Sequence, residues 1–449
     1  MFIPHTDSEQ EEMLKTVGKD RIEDLFADIP EKFRFPDLDL PESVSEMEAA
    51  EQIEGLASAN NHCGELICFL GAGAYNHYIP AAVDMIIRRG DFFTAYTPYQ
   101  PEISQGTLQA IFEFQSLIIN LTGMDVSNAS HYDGASASAE ACLTAYSQYR
   151  GKRGKFLLAP TLHPHYRETI HTYLNSLENV QIKEVELDDS WSYLDAIMRK
   201  IDDDTALVFT QYPDFFGQLE DFSELGKKVH EKGALLAVAA NPTALGIFKP
   251  PADFGADIVV GEGQPLGIPL SFGGPYLGFF AVKNELIRKV SGRIVGETED
   301  EKGNRGYVLT LTAREQHIRR EKAISNICTN QGLMALAATV YMSVLGKNGL
   351  REVANLCYQR AHYAAERIST LKDYEILANK PFFHEFIVKC PKNPDLINRF
   401  LLDNGILGGL DLSNYYPGNG NLMLIAVTEK NSIEEIELLV HLLEEAANA

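Results

Sequence analysis

From Lys155 to Val282 the chain alternates between two kinds of segment, and that alternation restricts the fold more than any other feature. Apolar runs at Phe156–Ala159, Val180–Val185, Thr205–Thr210, Ala234–Ala239 and Asp257–Val260 have the length of buried strands. Between them, Pro164–Leu174, Tyr193–Lys200 and Phe222–Glu231 carry helical spacing. Strands joined through helices at this interval must run side by side in one direction, which gives a mainly parallel α/β sheet covered on both faces. A last apolar run, Tyr276–Val282, is reached through a connection rich in Gly, Pro and Ser.

Composition removes several classes of function. The 449 residues suffice for two or three domains, and 45% are hydrophobic, an ordinary globular share. The charge balance of 39 − 63 = −24 repels nucleic acid and anionic membrane surfaces, so neither is an expected partner. The opening MFIPHTDSEQEE has no basic n-region or apolar h-region, and the apolar runs are too short and interrupted to read as bilayer spans. A cytoplasmic location is expected. Six scattered cysteines show no C-x-x-C spacing and read as reduced core residues. His163, His165 and His171 have no acidic or thiol partner at ligand spacing, so no metal site is expected. Gly71-Ala72-Gly73 lacks the third glycine of a dinucleotide loop, since Asn76 stands there.

The flanks divide into further pieces. Residues 1–60 are acidic and polar, with helical patterns at Ser8–Val17 and Ser43–Ala57, and read as a helical and extended arm. Residues 61–330 form the expected large α/β domain. Residues 331–449 supply connecting helices, Gly332–Leu345 and Gly349–Thr370, and then a small α+β domain with strands at Phe383–Val388 and Met423–Val427. Ser432 with Glu435 forms a capping-box pattern for the last helix. Arg288–Gly306, dense in Gly, Glu, Asp and Lys, reads as a loop.

Three segments carry candidate chemistry. Asp91–Gly106, DFFTAYTPYQPEISQG, has no helical or strand period and reads as a proline-fixed loop whose tyrosines either pack or line a site. Tyr132-Asp133-Gly134 opens an alanine-rich helix whose Ser136 and Ser138 either cap it or sit at an anion-binding start. In YVLTLTAREQHIRREKAISNICTNQ, six charged residues fall within Arg314–Lys322 beside His317, either a salt-bridged helix start or a binding group.

The stretch FGADIVVGEGQPLGIPLSFGGPYLGFF, residues 254–280, resembles the segment where fold-type I pyridoxal-phosphate (PLP) enzymes carry the lysine that holds their cofactor. No residue from Phe254 to Ala281 is lysine. The stretches FTAYTPYQPEISQG, LTGMDV, YDGASASAEA, GRIVGE and LTLTAREQHIRREKAISNICT, in this order, resemble one such family closely. It is the P-protein family of the glycine cleavage system, glycine dehydrogenase (decarboxylating). The likeness runs from Ile3-Pro4-His5-Thr6 to Gly405–Gly409 and is to the N-terminal half, which some members carry as a separate subunit 1 (alpha).

The resemblance implies a fold-type I PLP-transferase-like fold in which the cofactor lysine belongs to the other half. Gln264 occupies the expected lysine position, with Pro265 as its neighbour by the second count, and the strand Leu235–Ala240 offers no carboxylate for a pyridine nitrogen. It also implies that this chain holds no cofactor covalently, with PLP on subunit 2 (beta). Glycine would be decarboxylated there and its aminomethyl group passed to the lipoyl arm of the H-protein, with the T- and L-proteins as further components of the system. Tyr96, Tyr99 and Gln100 are candidates to reach a shared site, and Arg314 and His317, with Arg319 and Arg320, form a second candidate group. The alternative is a purely structural or regulatory partner of the catalytic subunit.

Overall fold

The computed structural model describes residues 5–94, 96–187, 191–377, 380–418 and 420–448. Two compact units are present, residues 1–61 and 62–449. In the first, the helices Asp7–Thr16 and Glu46–Ser58 each begin with a reciprocal capping box, Thr6 with Glu9 and Ser45 with Glu48. Neither helix buries a residue.

The second unit is built on seven strands: β1 Val126–Ser127, β2 Lys155–Leu158, β3 Gln181–Glu184, β4 Thr205–Tyr212, β5 Leu235–Ala240, β6 Ile258–Glu262 and β7 Gly278–Val282. Their order is β1-β7-β6-β5-β4-β2-β3. All neighbours are parallel except β7, which runs antiparallel to β6 and β1. β5 and β6 are buried almost throughout, as expected of strands with helices on both faces. The expected α/β class with a mainly parallel sheet is the one observed.

The helices that matter for the site are α1 Gln105–Thr122, α2 Gly134–Gln148, α3 Pro164–Leu174 and α4 Gly332–Ser369. One face of the sheet packs Val208, Val238 and Val259 with Ala335, Ala338 and Tyr341 of α4. The other packs Phe209, Ala239 and Val260 with Ala137, Ala141 and Ala145 of α2. The alanines let α2 approach the sheet closely, which brings its N-terminus to the carboxyl ends of the strands.

As the spacing predicts, the span Gly332–Ser369 is two helices, which meet at a kink at Gly346, whose φ of 59° and ψ of −172° a glycine adopts without a Cβ penalty. Together they are long and apolar enough to pass as a bilayer span by length and composition, but their buried residues pack into protein cores at both ends. Arg288–Gly306, a loop by composition, contains the strand Ile294–Glu299, paired antiparallel with Arg305–Thr310. Charged side chains hide it, because this hairpin is exposed at its turn and buries only Ile294, Val295 and Tyr307, the last two packed with α1. The C-terminal sheet pairs Glu385–Lys389 with Leu422–Ala426, and Ser432 and Glu435 bond reciprocally as their spacing implies. Residues 67 and 68 pair with Ile406 and Leu407, and Phe69 joins the same C-terminal core.

Candidate functional site

Ligands of open α/β sheets bind in the crevice beyond the carboxyl ends of the strands. Here that crevice is a small cavity bounded by His163, Tyr166, Gln211, Asn241, Glu262 and Pro265. Its chemistry is turned inward. Glu262 at the end of β6 accepts the Gly134 N–H at 3.0 Å through Oε2, and the Gln264 and Leu277 N–H groups, each at 3.0 Å, through Oε1. Burial pushes this carboxyl up to about 8, against the pull of those N–H groups. The first turn of α2 is thus met by a carboxyl from within the chain. A Cβ placed on Gly134 would lie 2.1 Å from the Tyr166 hydroxyl, so that ring fills the remaining space. Tyr166 stacks on His163 at 4.9 Å and 23°, and burial raises its hydroxyl well above the usual phenol range.

Ser136 and Ser138, the sequence candidates for an anion site, are engaged elsewhere. Ser136 completes a capping box with Asp133, and Ser138 donates to the Gly134 carbonyl at 2.7 Å. Gln264 is not among the residues lining the cavity, and its side chain is engaged by backbone groups. Its amide donates to the Tyr75 carbonyl at 2.9 Å and the Ile268 carbonyl at 2.8 Å, and accepts the Tyr75 N–H at 2.8 Å. Pro265 is the residue of that pair that lines the space.

A second feature lies beside the Ile294–Thr310 hairpin, where the structure joins the two candidate groups. Arg293 is 5% exposed and donates to the Cys328 carbonyl at 2.6 Å, the Asn330 side chain at 3.2 Å and the Tyr99 hydroxyl at 3.4 Å. The Tyr99 ring meets His317 edge-on at 5.9 Å. Glu315 stands 3.8 Å from Arg293 and 3.6 Å from His317. Arg314 fastens the same segment by donating to the carbonyls of Val290 and Gly292, on either side of Ser291. Tyr96, 87% exposed, lines an adjoining cleft with Arg293 and Asn330. Gln100 is exposed at the start of a short 3-10 turn, and Arg319 bonds the Ala313 carbonyl within its own segment. Sequence reasoning missed Arg293, Glu315 and Asn330 as site residues. The GRIVGE motif contains the first, but the strand it introduces has the composition of a loop.

The sequence profile of the glycine cleavage system P-protein matches residues 1–443. The chain belongs to that family. It is 53% identical to a probable glycine dehydrogenase (decarboxylating) subunit 1 of Thermomicrobium roseum, over 99% of both chains. The corresponding Desulforamulus reducens protein is 55% identical over 98% of both. A crystal structure of glycine decarboxylase (P-protein) of the glycine cleavage system, in inhibitor-bound form, superposes with a TM-score of 0.92 at 40% identity, covering 99% of this chain and 100% of that one. A sphingosine-1-phosphate lyase of Burkholderia pseudomallei, at 15% identity and TM-score 0.66 over 94% of each chain, shares the fold.

The fold is that of fold-type I PLP enzymes, and this P-protein family chain does not offer that cofactor a fitting cavity. Among the described residues, no lysine lines the space. The helix start is taken by Glu262, Tyr166 fills the room beside Gly134, and β5 reads Leu-Leu-Ala-Val-Ala-Ala without a carboxylate.

Proposed function

We propose that this chain is the subunit of a two-subunit glycine dehydrogenase (decarboxylating) that does not itself carry PLP. Its partner, subunit 2, carries the cofactor. Together they decarboxylate glycine and pass the aminomethyl group to the lipoyl arm of the H-protein, in the cytoplasm, and the T- and L-proteins act on the aminomethylated product. The observation that carries this reading is the lining of the cavity, in which Glu262 and Tyr166 occupy the helix start and which lacks an amine among its described residues. A chain so lined serves the reaction by what it presents at its edge.

What it presents is the cleft at Tyr96 and Tyr99. Their hydroxyls can donate to or accept from an oxygen of the substrate, and Arg293 holds Tyr99 while leaving its ring half exposed. His317 meets that ring edge-on and stands 3.6 Å from Glu315. Arg314, engaged by two carbonyls, orders the segment rather than binding substrate. The alternative of a purely structural partner is weakened by this clustering, since the exposed rings of Tyr99 and His317 are held by the nearly buried Arg293 and Glu315.

The test is co-expression with the candidate subunit 2, followed by glycine-dependent exchange of carbon dioxide with and without this chain. Exchange should require both. Full activity of the partner alone, or a visible cofactor band from this chain purified with added PLP, would overturn the reading.

A further inference from the structure

The segment Thr312–Arg319 is held in an unusual way. At its start Leu311 has φ 52°, and at its end Arg320 has φ 52° with ψ −125°. Side chains other than glycine rarely adopt such a conformation, and they keep it only where surrounding contacts enforce it. The enforcing contacts come from the residues at and before the hairpin. Arg314 reaches the carbonyls of Val290 and Gly292, and Arg293 lies between Glu315 of the segment and Tyr99 of the proline-fixed loop.

Arg293 and Glu315 are both nearly buried, with side-chain exposures of 5% and 8%. Charges this buried normally close into direct hydrogen bonds. This pair stops at 3.8 Å, and both Arg293 Nε and Glu315 Oε1 lack a hydrogen-bond partner. The terminal N–H groups of Arg293 are directed to Cys328, Asn330 and Tyr99. One guanidinium therefore touches three separate stretches of chain, residues 99, 315 and 328–330. The planar fork is what permits this, and a lysine ammonium could reach at most part of it.

We propose that Arg293, paired with Glu315, is a positioning residue of the shared site: it sets the Tyr99 hydroxyl directly and His317 through Glu315, so that the two outward-facing segments act as one. It does not touch the reacting atoms. This inference rests on the proposed sharing of the site between two subunits. The open gap between Arg293 and Glu315 leaves the segment room to close when a partner surface or substrate arrives.

Two measurements test it. On the full chain alone, tryptic cleavage within Arg314–Lys322 should be at least fivefold faster in R293K than in wild type, because the segment then keeps only the Arg314 contacts. On the complex with subunit 2, R293K should lower kcat at least tenfold while the KM for glycine stays within threefold. The complex should keep the same size by gel filtration. E315Q, which preserves shape, should reproduce the kcat loss, and R293K/E315Q should be no slower than the worse single variant, as expected when two groups act as one unit. Unchanged tryptic rates, or a kcat within twofold of wild type, would overturn the proposal. So would strictly multiplicative losses. An inactive wild-type complex would instead sink the enzymatic reading, and the tryptic comparison would still decide whether Arg293 fastens the segment.

Discussion

The cavity at the carboxyl ends of β5 and β6 and the cleft beside Tyr99 make opposite use of charged residues. Around Glu262 both carboxyl oxygens, and around Gln264 the whole amide, are engaged with the chain's own backbone. Around Arg293, its Nε and the Glu315 Oε1 make no hydrogen bond, and two tyrosines face outward. At the centre the polar groups are spent on the chain itself, while at the edge some are left over. Function in such a chain is sought where polar atoms lack hydrogen bonds at the edge rather than in the pocket that the fold would suggest.

The largest effect should therefore come from the cleft. Replacing Tyr96 and Tyr99 together by phenylalanine should lower turnover of the assembled enzyme by about 100-fold, the scale of a lost positioned donor. The folded chain should hardly notice, because Tyr96 is 87% exposed and Tyr99 50%. Calorimetry should show stability changed by less than about 1 kcal/mol. Unchanged turnover would return the cleft to a packing role and leave both features structural.

The central cavity should show the inverse pattern. Glu262→Ala leaves the N–H groups of Gly134, Gln264 and Leu277 without their acceptor, which should cost about 2–4 kcal/mol in denaturant unfolding at neutral pH. Turnover of whatever complex remains assembled should stay within about threefold. A loss of rate at full stability would mean that the cavity takes part in the reaction after all.

Much of this division is legible in the sequence. The alternation from Lys155 to Val282 yields the sheet because both hydrophobic period and turn residues agree there, and the missing lysine and missing acid are visible as letters. The plug is not legible. Glu262 looks like any polar residue at a strand end, and only the fold shows that it meets the start of α2, 128 positions earlier. Arg293 is hidden for a different reason. Its hairpin is half-exposed and charged, so periodicity is weak, and its partners Tyr99 and Asn330 are brought together by tertiary contacts that no local pattern encodes.

A pH titration sharpens the contrast with a smaller effect. Burial holds Glu262 at about 8, above its ordinary 4.5, so the folded state binds the proton more tightly than the unfolded chain. Its stabilising share is complete below about 4.5 and is lost as pH rises through about 8. Glu385 and Asp214, each pushed by burial up to about 7, add to the same decline. Glu262→Gln cannot ionise, so its stability should fall less steeply over this range than wild type, by roughly 1–3 kcal/mol in total. Parallel curves would mean that Glu262 is ionised throughout, held so by the three N–H groups.

The smallest expected effect is from restoring the absent amine. Gln264→Lys should give this chain alone no visible cofactor band with added PLP and no glycine-dependent exchange of carbon dioxide. The side chain at 264 is buried and bonded to the Tyr75 and Ile268 carbonyls, and it is Pro265 that lines the cavity, so the new amine starts among backbone acceptors. Even an amine that reached the space would find Glu262 and Tyr166 occupying the helix start, and β5 would offer no acid. Three separate features would have to change together. A single-residue gain of decarboxylase activity would erase the distinction between a self-bonded centre and a working edge, because the centre would then have been one side chain from competence.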